Sequence, residues 1–147
     1  MILSHHFALD EFTVSQEAVR RGIDNDPPER VIENLRKLAH SLENVRTLLG
    51  SFPLLISSGY RSPELNEAVN GSKNSAHMKG LAADFIAPHY GNPREVAVAI
   101  SRSQLIYDQV ILEGGRWVHF GLADQPRQEA LTANFDGGRV SYTQGIA

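Results

Sequence analysis

The chain has 147 residues, a formal net charge of −3 and no cysteine. That length suits one domain, residues 1–147, with a sizeable core, and the charge offers no electrostatic reason to bind nucleic acid. The missing cysteines exclude disulfides, thiolate metal sites and Cys nucleophiles, so any metal must be held by His, Asp, Glu and water. No apolar run reaches the length of a membrane span. The start, Met1-Ile2-Leu3-Ser4-His5-His6, lacks the charged lead and apolar segment of a secretory signal. Synthesis in the cytoplasm is therefore the expectation.

In chain order, the segment Leu9 to Gly22 contains Ser15 as a possible helix cap, followed by Glu17 and a basic end, and predicts a short helix there. Asn25-Asp26-Pro27-Pro28 is a loop and a helix start. From Glu29 to Leu49, Val31, Ile32, Leu35, Leu38, Ala39, Leu42, Val45 and Leu48/Leu49 recur at steps of three and four. This pattern predicts a helix packed by one stripe, stopped at Gly50. Leu54 to Ser58 predicts a short strand, and Pro63 to Val69 a short helix capped by Ser62. Asn70 to Ser75 reads as loop. Ala82 to Ile86 predicts a strand carrying one charge, Asp84, and Pro93 to Ser101 a helix. Tyr107 to Glu113 and Arg116 to Leu122 predict a hairpin around Gly114-Gly115. Glu129 to Phe135 and Arg139 to Tyr142 predict a second one around Gly137-Gly138. The expected class is α+β, with N-terminal helices packed on a mostly antiparallel sheet.

Asp84 is the odd residue in Leu81-Ala82-Ala83-Asp84-Phe85-Ile86-Ala87, because a buried carboxylate needs a partner. A salt bridge is the ordinary explanation of an isolated Asp. His77 lies seven positions earlier across Gly80, whose conformational freedom lets the chain turn back. In Trp117-Val118-His119-Phe120-Gly121-Leu122, strand alternation puts Val118, Phe120 and Leu122 on one face and Trp117, His119 and Gly121 on the other. The second face carries an indole, an imidazole and a gap. His77, Asp84 and His119 together form the ligand set of a catalytic zinc site with one position open to water. His5, His6, His40 and His89 lack comparable company and read as loop or helix-surface residues. Arg61 lies between a strand and a helix, where its planar fork suits a carboxylate or a developing oxyanion. A surface Arg tying down its loop is an equal reading from spacing alone.

Four pieces, Ser58-Gly59-Tyr60-Arg61-Ser62-Pro63-x-Leu65-Asn66, Ser75-x-His77-x-x-Gly80-x-Ala82-x-Asp84-Phe85, Tyr107-Asp108-Gln109 and Trp117-Val118-His119, resemble in their order the M15 family of zinc peptidases. This is the group of D-alanyl-D-alanine carboxypeptidases and phage endolysins. The segment from Leu3 to Gly50 also resembles the lead helices of small phage-type members. The resemblance implies one Zn²⁺ per chain on His77, Asp84 and His119. Arg61 would bind or polarise substrate and Ser75 support the site, with Tyr60, Asn66 and Trp117 contacting substrate or supporting it. It implies the α+β fold shared by D,D-peptidases and the hedgehog signalling domain. The implied partner is a peptidoglycan stem peptide or cross-link, met after release from the cell by a protein expected to be monomeric.

One position departs from that pattern. Many members carry an acidic general base three residues before the last His ligand, where this chain has Arg116. The nearest carboxylate is Glu113. With a hairpin loop of Gly114-Gly115 alone, Glu113 faces Arg116 and shares the Val118 face, away from the metal. With a loop of Gly114-Gly115-Arg116, it pairs with Trp117 and shares the His119 face. The three-residue loop with Glu113 as base is the reading adopted, and Asp108 is the fallback. The rival readings are a zinc-containing binding module without turnover and a zinc-free structural domain.

Overall fold

The computed structural model describes residues 1–147. Its N-terminal segment forms two short helices rather than one, α1 (Asp10–Thr13) and α2 (Gln16–Arg21). Val14 between them is extended, and the Ser15 side chain accepts from the Ala18 N–H. Ser15 thus starts α2 as the cap the sequence offers, and α1 is a further turn of helix ahead of it. Gly22 closes α2 in the left-handed region, at φ 66°.

The long helix α3 spans Glu29–Leu48. Its stripe of Val31, Leu35, Leu38, Ala39, Leu42 and Val45 is buried throughout. The strand β1 (Leu55–Ser58) follows, then α4 (Pro63–Ala68), which Ser62 caps through the Leu65 N–H. A 3₁₀ turn at Ala76–Lys79 lies beyond the loop expected over residues 70–75. The strand β2 (Ala82–Ile86) and the helix α5 (Pro93–Ser101) come next. Asn92 and Glu95 form a reciprocal capping box on α5. Then come β3 (Gln109–Glu113), β4 (Trp117–Gly121), β5 (Glu129–Asp136) and β6 (Arg139–Gln144).

The six strands make one sheet in the order β1-β2-β4-β3-β5-β6. All neighbours run antiparallel except β3 and β5, which are parallel. The fold is α+β and mostly antiparallel, with α4 and α5 interleaved among the strands rather than grouped ahead of them. One sheet face, bearing Ala83, Phe85, Val110, Leu112, Val118 and Phe120, joins the buried stripes of α3 and α5 in the main core. The opposite face carries Asp84, His119, Ile111, Glu113 and Trp117. A smaller apolar cluster of Ile111, Leu131 and Ala133 sits beside them. No helix is long and apolar enough to cross a membrane.

The first residues are strapped onto α3. Glu43 accepts from Ser4 Oγ and from the His6 N–H, each at 2.6 Å, and meets His6 Nδ1 at 2.6 Å. His6 therefore has a partner that its place in the sequence does not suggest. Burial works against the Glu43 charge, but Ser4 and His6 outweigh it and hold the carboxyl at about 2. A carboxyl whose pKa is lowered by folding stabilises the fold above its unfolded pKa and loses that contribution as pH falls through the folded value. Unfolding stability is expected to decline between about pH 5 and 2. In Glu43→Gln that decline is expected to be shallower, as read from denaturant midpoints across the range. Parallel pH profiles for the two proteins would remove Glu43 as its source.

Candidate metal centre

Two local devices place His77. Ser75 caps the 3₁₀ turn by accepting from the His77 N–H at 3.2 Å. Gly80 ends the turn at φ 73°, a conformation that suits glycine. It also leaves room that a Cβ would lose, since one there would lie 2.9 Å from Val31 Cγ1. The chain then enters β2, and Asp84 lands opposite His119 across the β2–β4 ladder.

The His77 ring is buried, and its Nδ1 donates to the Gly59 carbonyl at 2.7 Å. That bond leaves Nε2 facing Asp84 Oδ1 at 3.3 Å. His119 Nδ1 meets the same carboxylate oxygen at 3.0 Å. The two rings stand edge to face, 5.1 Å apart. One ligand atom from each of the three residues lies within 4.8 Å of the others. Zinc–ligand bonds of 2.0–2.2 Å place tetrahedral neighbours roughly 3.3 Å apart, close to the two contacts observed. The donor set, two imidazoles and a carboxylate with no thiolate, fits zinc with one position to spare. The Gly59 carbonyl supplies the outer hydrogen bond that orients a ligating imidazole.

The electrostatics suit a cation. Burial penalises the Asp84 charge, but hydrogen bonds and charge from His119 and His77 hold its carboxyl far below the usual range. Burial pushes the His77 ring down, toward the neutral form that binds metal, against the pull of Asp84.

Glu113 pairs with Trp117, and the intervening Gly114 and Gly115 take positive φ, so the hairpin loop has three residues. Alternation then puts Glu113 on the His119 face, and both line one cleft with His77, Asp84, Arg61 and Trp117. Burial raises the Glu113 carboxyl, and the charges of His119, Asp84 and Arg61 all reach it. Arg116 is exposed at the loop.

Asp108 is occupied elsewhere. Both its oxygens take hydrogen bonds from the Arg127 guanidinium, at 2.7 and 3.0 Å, and Oδ1 also accepts the Arg127 N–H. Those bonds lower its pKa, and the fallback base is thereby an anchor for the chain entering β5.

Arg61 is half-buried at the cleft edge. One terminal nitrogen donates to Asn66 Oδ1 at 3.1 Å, and Asn66 Nδ2 donates to the Ser72 carbonyl at 2.9 Å. Arg61 Nε is buried without a partner. Asn66 thus holds the guanidinium rather than lining open space. Tyr60 is buried in the main core and supports the turn from behind. Trp117 packs on Phe135 at 6.2 Å. Phe135, Val140 and Tyr142 also line the cleft. Sequence reasoning did not reach them, because the parallel β3–β5 pairing that brings them there leaves no local signal. Gly59 has no side chain to mark it as functional, yet its carbonyl orients His77.

The Peptidase M15 family model matches residues 5–121, most of the chain. The chain belongs to the M15 peptidase family. Over 50 residues it is 40% identical to a zinc D-Ala-D-Ala carboxypeptidase of Streptomyces albus G. That match covers 34% of this chain and 20% of the relative, so only a fifth of that protein is represented.

Substituting His77→Ala removes one of three ligands and is expected to leave the purified protein without stoichiometric zinc. Elemental analysis after dialysis checks this, and full metal content in the variant would refute the ligand assignment.

Proposed function

We propose that the chain is a zinc metallopeptidase that hydrolyses peptide bonds of bacterial cell-wall peptidoglycan, with one zinc held by His77, Asp84 and His119. The observation that carries the reading is the company around these three residues. A half-buried carboxylate, Glu113, and a half-buried guanidinium, Arg61, line one cleft with them. Family membership and the zinc carboxypeptidase relative support the same class of reaction.

Bound zinc supplies Lewis-acid activation of a water and of the scissile carbonyl. Glu113 accepts the proton of the attacking water and returns it to the leaving amine. Burial raises its pKa, which makes the carboxylate a stronger base for the proton of that water. Arg61, steadied by Asn66, directs its remaining donors at the carbonyl oxygen as negative charge develops there. Ser75 keeps the turn that presents His77. No covalent attachment to the protein is required. The bond cut is a D-Ala–D-Ala end, as for the named relative, or an endolysin-type bond within the wall peptide. The substrate is met outside the cell after release of a monomeric protein.

Two variants test the roles. Glu113→Gln is expected to keep fold and zinc while amino-group release from purified wall falls by roughly two to four orders of magnitude. Wild-type rates in that variant would remove Glu113 from catalysis. If the wild type itself releases no more amino groups than it does with chelator, the chain is a binding module of the same fold. Arg61→Ala is expected to keep zinc and lower kcat by roughly 10²–10³, with the loss in turnover rather than in metal content. Unchanged kinetics would return Arg61 to a loop-tying role.

A further inference from the structure

The turn Gly59–Ser62 carries two things the centre needs, the carbonyl that orients His77 and the side chain of Arg61. On one side it is joined to the 3₁₀ turn. His77 Nδ1 donates to the Gly59 carbonyl at 2.7 Å, and the Arg61 N–H donates to the His77 carbonyl at 3.1 Å. On the other side it is hydrogen-bonded to the N-terminal segment. The Tyr60 N–H donates to the Phe12 carbonyl at 2.6 Å. The Asn25 amide bridges three backbone groups. Its Nδ2 donates to the Thr13 carbonyl at 2.9 Å and to the Tyr60 carbonyl at 3.1 Å, while its Oδ1 accepts the Ser62 N–H at 2.8 Å.

The approach of the two segments is close. A Cβ on Gly59 would lie 2.6 Å from the Phe12 carbonyl oxygen, 2.7 Å from Phe12 Cα and 2.9 Å from its Cβ. The Phe12 side chain is fully buried and packs on Phe7, so the backbone facing Gly59 cannot swing away freely. Gly59 is therefore glycine for clearance, not for an unusual φ. Every polar group of the Asn25 side chain is spent on the turn or on the end of α1.

We propose that Asn25 and Phe12 are positioning residues for the metal centre. They press the Gly59–Ser62 turn against His77, so that the Gly59 carbonyl meets Nδ1 and leaves Nε2 directed at Asp84 and the metal. The role goes beyond the hydrolytic reading. It concerns metal affinity and the tautomer of one imidazole, whichever peptide bond is cut, and it rests on the zinc assignment only for its metal readout.

The experiment compares wild type, Asn25→Ala, Gly59→Ala and a control, Val96→Ala, which thins the core at α5 away from the turn. Zinc affinity is measured by competition with a chelator, and the His77 Nδ1–H resonance by NMR of the metal-free proteins. Gly59→Ala is expected to bind zinc about 10–100-fold more weakly, the usual effect of disturbing an outer hydrogen bond of a ligand. Asn25→Ala is expected to shift the same way by a smaller factor. Both should lose or broaden the His77 Nδ1–H resonance, while Val96→Ala unfolds more easily yet keeps affinity and resonance. Zinc affinity within twofold of wild type in both turn variants would overturn the proposal and leave the clamp a purely structural contact. Should Gly59→Ala fail to fold, Asn25→Ala decides alone. Should the wild type bind no zinc, the zinc reading falls and the resonance still decides. Its loss in Asn25→Ala supports the clamp, and its persistence overturns it.

Discussion

A carboxylate in the middle of a sheet, buried to 9% exposure among apolar neighbours, is the constraint around which this molecule is arranged. An ionised group there needs compensation, and Asp84 has two imidazoles within 3.3 Å. One comes from the facing strand, by register alone, since Asp84 and His119 are direct partners across β2–β4. The other comes from the 3₁₀ turn just upstream, folded back by Gly80. A protein that wanted only stability would fill this face with apolar side chains, as Ile111, Leu131 and Ala133 do beside it. Three titratable groups converging on one buried point, next to a cleft, make more sense as a cage for a cation than as a core.

How much of this could be read from residues follows from how local each cause is. The α3 stripe, the capped α4 and α5, and the strand β2 all rest on spacing or caps within a few residues, and they appear where the pattern predicts them. The convergence of His77, Asp84 and His119 was legible because a strand carboxylate, a glycine turn and an alternating strand are short-range signals. The short α1 ahead of Ser15 was not, since a cap marks where α2 starts and carries no signal about what precedes it. The Asp108–Arg127 pair spans 19 residues and the Asn25–Tyr60 bond 35. Neither leaves a mark in the sequence around it. Asn25 in Asn-Asp-Pro-Pro reads as turn chemistry, and only the tertiary approach of α1 to the 59–62 turn gives its amide another role.

Clearance at glycine recurs around the centre, with different work at each place. At Gly59 the backbone of Phe12 occupies the space of a side chain. At Gly114 it is the Phe135 ring, whose Cδ2 would lie 2.5 Å from an added Cβ. The first lets the N-terminal layer reach the turn that orients His77. The second lets the β5–β6 hairpin fold over the β3–β4 loop, so that Phe135 meets Trp117 and closes one side of the cleft. The site is thus walled by chain segments more than a hundred residues apart, joined where a missing side chain admits them.

The position of the proposed base shows why face matters more than offset along the chain. Three residues before His119 stands Arg116, a loop residue pointing to solvent, and counting alone would leave the centre without a carboxylate. In an antiparallel hairpin, however, the partner across the ladder shares a face as surely as the residue two positions along the strand. Because the loop holds three residues, Glu113 sits opposite Trp117 and shares the His119 face. A loop one residue shorter would have turned the same carboxylate toward Val118 and the core. The two consecutive glycines, both at positive φ, are what make the longer loop possible without strain. Glu113 therefore lines the same cleft as His119 although it stands six residues earlier in the chain.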